Sequence, residues 1–127
     1  MNGLPDPRQM GLPIGAFVVV PANGLDLWRL LRESSPTVSD FEERVTRAQA
    51  ERIGLPEIFR TTVSHFEQRR QAVAQSRSRR GYVARLHLTA DPHTRVALTT
   101  FEHAGHVDVW GFPLTLLAAV LDVERFA

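Results

Sequence analysis

Three successive stretches in the last third of the chain alternate apolar and polar residues with a period of two. Tyr82 to Leu88 sets Tyr82, Ala84, Leu86 and Leu88 against Val83, Arg85 and His87. Thr94 to Phe101 and His106 to Trp110 alternate in the same way, separated by the turn-like pairs Asp91-Pro92 and Ala104-Gly105. Only a half-buried strand has that period, so this region must form adjacent strands of a sheet with one face turned to a core. A slip of one residue would turn every side chain over, so the apolar positions must share a face. Under that condition we expect Leu86 to pair with Val96 and Ala84 with Leu98, then Leu98 with Val109 and Thr100 with Val107. The opposite face then collects Arg85, His87, Arg95, Phe101, His106, Asp108 and Trp110. Two Arg, two His, an acid and two aromatics on one face make this the most site-like feature of the sequence.

Earlier segments supply further elements. Residues 1–13, rich in Gly and Pro, read as an arm, and residues 14–127 as one domain. Ala16 to Val20 is β-branched and ends in Pro21-Ala22-Asn23-Gly24, so a hairpin into a second strand over Leu25 to Glu33 is expected, with a helix as the competing reading. Ser39 and Glu42 are spaced as a capping box for a helix ending near Ile53, before Gly54 and Pro56. Ile58 to Phe66 suits a strand, although Ser64 and Glu67 are spaced as a second capping box. Gln68 to Arg80 reads as a helix stopped by Gly81, and Pro113 as the first turn of a short helix to about Val120. Leu121 to Phe126 is a final strand. The expected class is α+β: a small, mainly antiparallel sheet with two principal helices on one face.

A hydrophobic fraction of 43% over 127 residues is enough for one folded core. Cys is absent, which excludes disulfides, thiolate metal sites and cysteine nucleophiles. All 15 basic residues are Arg, and without Lys there is neither Schiff-base chemistry nor a phosphate-loop lysine. No apolar run approaches the roughly 20 residues that cross a bilayer, so no membrane association is expected and the cytoplasm is the expected compartment. Met10 to Val20 lacks the flanks of a signal peptide, because Asp6 offsets Arg8 and Pro13 interrupts the run.

Candidate sites are few. Arg69 to Arg85 holds six Arg and no acid, and Arg77, Arg79 and Arg80 within it form a basic patch suited to nucleic acid or phosphate, or to the C-terminal end of a helix dipole. His103 and His106, flanked by Glu102 and Asp108, have a metal-pair spacing, but zinc needs three or four convergent ligands and no metal or cofactor is implied. Ser64 and His65 are neighbours on a strand and point to opposite faces, so they cannot act as nucleophile and base. Neither a Gly-rich phosphate loop nor a nucleophile elbow is present.

Leu27 to Arg32 followed by Ser35 to Phe41, and His106 to Pro113 with the Leu-rich segment after it, resemble the opening and close of a group of small uncharacterised bacterial proteins. That resemblance spans about residues 27–124. More loosely, the layout resembles the ADP-ribosyltransferase fold, in which a first strand carries Arg or His, a second offers Ser or Thr, and a late Glu orients the nicotinamide ribose of NAD. The resemblance implies Arg29, Ser64 and Glu102 as catalytic residues, with Glu102 outside the usual motif. Two functional expectations follow: a protein- or RNA-interacting module, with self-association open, or a small transferase acting on a nucleotide-type substrate such as NAD.

Overall fold

Leu25 to Leu31 forms a strand because it is covered on both sides: Leu25, Leu27 and Leu31 are buried in one core and Leu30 in another. A strand buried on both faces loses the clean alternation that would have separated it from a helix in the sequence. The computed structural model describes residues 4, 7–13, 16–42, 62–76, 81–99 and 105–126. Its strands are β1 (Phe17–Pro21), β2 (Leu25–Leu31), β3 (Val63–Phe66), β4 (Tyr82–Leu88), β5 (Arg95–Thr99), β6 (His106–Trp110) and β7 (Val120–Arg125). Two short helices, α1 (Arg69–Ala74) and α2 (Pro113–Ala118), complete it, with 3-10 turns at Pro7–Gln9 and Val38–Phe41. All seven strands join one antiparallel sheet in the order β1-β5-β6-β3-β2-β4-β7.

The class is the expected one, a small antiparallel α+β sheet with two helices. The two described helices pack on opposite faces of the sheet, while the first of the two principal helices expected on one face lies outside the described residues. Leu116 of α2 joins Leu27, Leu86, Val96, Leu98, Val107, Val109 and Phe41 in the larger core. Ala72 of α1 seals a smaller core with Leu30, Phe66 and Val83 on the other side.

Strand order corrects two expectations. β1 and β2 are not a hairpin: β1 pairs with β5 at one edge, while β2 lies between β3 and β4. The left-handed Gly24 (φ +74°) sends the chain onward, its N–H donating to the Leu88 carbonyl at 2.8 Å. β4 does not pair with β5 either, so neither Leu86–Val96 nor Ala84–Leu98 forms. Both edges of β4 are already filled, by β2 over seven residue pairs and by β7. Between β5 and β6 the register is Val96 opposite Val109 and Leu98 opposite Val107. This differs from the expected register by two residues, so parity is kept and the inward set is unchanged.

Neither expected capping box operates. Asp40, not Glu42, closes the first: its Oδ2 accepts from the Thr37 N–H at 2.8 Å, and Glu42 is extended (φ −94°, ψ 149°). The helix expected to follow, to Ile53, lies outside the described residues. Ser64 and Glu67 do not cap a helix, because Ser64 lies within β3 and its hydroxyl is taken by His106.

Leu98 is only 3% exposed at the centre of the larger core. Replacing it with Ala should cost about 2–5 kcal/mol, the usual range for a buried leucine truncation. Urea melts of both proteins measure this, and a loss below about 1 kcal/mol would mean that the site collapses without leaving a cavity.

Candidate functional site

Residues opposite one another on paired strands share a face, and the registers therefore map the polar face directly. Arg95 lies opposite Trp110, Asp108 opposite both Ala97 and Ser64, and His106 opposite Phe66. Phe66 in turn faces Trp28, Trp28 faces Arg85, and Asp26 faces His87. Arg85, His87, Arg95, His106, Asp108 and Trp110 thus occupy the face turned away from the larger core. They do not form one constellation. β4 is three strands from β6, which separates Arg85 and His87 from His106, Asp108 and Trp110 by about 14 Å at the usual strand spacing, with Arg95 one strand further away. Phe101 and Glu102 lie outside the described residues.

At the β2–β4 end, Asp26 Oδ1 holds His87 Nδ1 at 2.9 Å and lies 3.9 Å from Arg85 Nη2. These side chains are a third to nearly half exposed, and such pairs contribute little stability. On β3 and β6 the polar groups are better enclosed. Ser64 Oγ and His106 Nε2 are 2.5 Å apart, and His106 Nδ1 lies 3.9 Å from Asp108 Oδ2. The Thr62 hydroxyl donates to Asp108 Oδ1 at 3.1 Å, and the Phe66 ring meets the His106 ring edge-on at 5.4 Å. The side chains of His106 and Asp108 are 13% and 7% exposed. The turn entering β6 needs a glycine: Gly105 is left-handed (φ +80°), and a Cβ there would overlap the Gln71 side chain.

This grouping of Ser64, His106 and Asp108 was not foreseen. Its signal was present in the sequence, since Ser64, His106 and Asp108 each sit at an outward position of an alternating strand. The missing information was that β3 pairs with β6.

Arg29 occupies the opposite face, opposite Ala84 and among the residues of the larger core. It is 7% exposed, and its guanidinium donates from Nε to the Asp40 carbonyl at 2.8 Å and from Nη1 to the Ser64 carbonyl at 2.6 Å. Arg29 therefore reaches Ser64 only through the backbone, and the Ser64 hydroxyl points to the other side of the sheet. The alternation of side chains along a strand thus keeps the two from lining one nucleotide pocket.

Next to Arg29 lies His65, fully buried, its Nδ1 3.1 Å from the Val63 carbonyl and its ring 6.3 Å from that of Phe41. Burial, reinforced by the Arg29 charge, lowers its pKa to about 3, so it is neutral in the fold.

The basic patch Arg77, Arg79 and Arg80 lies outside the described residues. Of the other arginines, Arg69 makes a fork to Glu124 (2.9 and 2.7 Å), which raises its own pKa and lowers that of Glu124. Arg70 donates to the Gln68 side chain at 2.7 Å, and Arg95 to the carbonyls of Asp91 and Thr94. Among the described residues no three His, Asp or Glu converge as metal ligands, and no helix is long and apolar enough to cross a membrane.

Around α2 the surface is open and partly apolar, and it reaches His87 on the polar face. A cleft of about 460 Å³ runs between the end of β4 and α2, lined by Leu88, Thr89, Thr94, Leu114, Thr115 and Ala118 among others. Phe112, Leu114 and Leu121 nearby in the chain are 57%, 67% and 58% exposed. Leu121 is left out of the ladder where Arg85 pairs with Asp122 but Leu86 pairs with Val120. A bulge of this kind re-aims a side chain and interrupts an edge. No family model, curated protein or solved structure matches this chain.

Proposed function

We propose that this chain is a recognition module, of bacterial and cytoplasmic setting, that binds a protein through the surface formed by α2 and the start of β7. The observation that carries the reading is the exposure of Phe112, Leu114 and Leu121 within ten residues of chain beside an open cleft. Covering a large apolar side chain that is otherwise exposed is worth about 1.5–3 kcal/mol, so three of them supply a usable anchor. A protein is favoured over RNA because five of the arginines among the described residues are engaged internally. Arg69 is held by Glu124, Arg70 by Gln68, Arg85 by Asp26, and Arg29 and Arg95 by carbonyls. Phosphate recognition needs uncommitted guanidinium groups on one face.

A photo-crosslinking side chain placed at position 114 should give a discrete protein adduct in cells, and one at Arg85 should not. Leu121→Asp should remove the adduct formed from position 114. Adduct formation that tracks RNA and falls steeply with salt would replace this reading with nucleic-acid binding. A cross-link to a second copy would make self-association the function of this surface.

A further inference from the structure

We propose that Ser64, His106 and Asp108 form a nucleophile–base–acid relay that makes the Ser64 hydroxyl reactive toward small acyl and phosphonyl electrophiles. The sheet itself creates the arrangement. Ser64 lies directly opposite Asp108, and His106 is two residues before Asp108 on the same face, hence diagonal to Ser64. Diagonal neighbours across an antiparallel pair lie within reach of a histidine ring, and the ring bridges them here.

The polarity of the chain is consistent from end to end. A Ser64 hydroxyl donating to Nε2 requires the histidine tautomer that carries its proton on Nδ1. Nδ1 is the nitrogen turned toward Asp108, at 3.9 Å, and a carboxylate on that side favours this tautomer. The separation exceeds a hydrogen bond, as base–acid contacts often do before a substrate binds. Thr62 fixes the carboxylate from behind, and the Phe66 ring holds the imidazole edge-on. Arg29, on the far side of the sheet, anchors the Ser64 carbonyl and so steadies the backbone that carries the hydroxyl.

The step balances without a co-reactant other than water. Ser64 Oγ attacks an ester carbonyl and its proton passes to His106 Nε2. The alkoxide leaves with that proton, and water later releases the carboxylic acid from the acyl-serine. With a fluorophosphonate, the Oγ–P bond forms, the P–F bond breaks and fluoride departs. Asp108 acts as a positioning residue.

The test is labelling of the intact chain with a small alkyl fluorophosphonate, read by mass spectrometry of the proteolysed adduct. One adduct should form, on the peptide containing Ser64. Ser64→Ala should abolish it, and His106→Gln should slow it by about 100-fold or more, the usual contribution of a positioned base. Asp108→Asn should also slow labelling, with partial recovery in Asp108→Glu, at unchanged near-ultraviolet circular dichroism. Absence of an adduct on folded wild-type protein at millimolar probe overturns the proposal, as does an adduct mapped to another hydroxyl. Because the adduct is mapped on the wild type, the outcome does not depend on any variant folding.

Discussion

Arg29→Ala should destabilise the domain by about 2–5 kcal/mol, from two carbonyls that lose a charged donor and from the space the side chain leaves. The guanidinium ties two segments that are not neighbours in the chain, the 3-10 turn at Asp40 and strand β3 at Ser64, through their main-chain carbonyls. Truncation leaves both carbonyls without this donor in a buried region, each at about 1–3 kcal/mol, and opens a cavity beside Leu27 and Leu31. Arg29→Lys should recover only part of the loss. An ammonium is a single point donor and cannot span two carbonyls in the fixed fork that a guanidinium provides. Equilibrium urea unfolding measures both. A loss below about 1 kcal/mol for the Ala variant would mean that water or other donors satisfy the two carbonyls once the guanidinium is gone.

Acid should weaken the fold through His65. In the unfolded chain this histidine titrates near 6.5, and in the folded protein near 3. Between these values the unfolded state binds a proton that the folded state does not, so stability rises with pH across the window. The contribution is complete above about pH 6.5 and is lost as the pH falls toward 3, amounting to about 3 kcal/mol between pH 7 and pH 4. Other carboxylates titrate at the lower end, so the decisive quantity is the difference between wild type and His65→Leu. The variant keeps an apolar group against Phe41 and should show a slope flatter by that amount. Parallel slopes from pH 7 to 4 would place His65 in contact with solvent.

Much of the fold was legible because alternation is a local property. β4 and β6 begin and end where the sequence pattern put them, and Leu86, Leu98 and Val109 are all buried. Pro113 opened a short helix as its fixed φ requires. Less legible was β2, whose two buried faces blur a period of two into the spacing of a helix. The capping boxes misled because Ser39–Glu42 and Ser64–Glu67 have the right spacing but the two hydroxyls meet Thr37 and His106 in space. The candidate polar face was read correctly in parity. Its division into two groups was not visible, since distance across a sheet depends on strand order.

Taken alone, the sequence determined which side of each strand faces inward, because the pleat sends successive side chains to opposite faces whatever the neighbours are. For that reason a register differing by two residues between β5 and β6 left the core unchanged. Only the tertiary structure decided that β4 sits between β2 and β7, that β3 lies against β6, and that Ser64 thereby meets His106 and Asp108. Those choices depend on how all seven strands share their edge hydrogen bonds and bury two unequal cores at once. Such a condition involves residues far apart in the chain, and no local pattern records it.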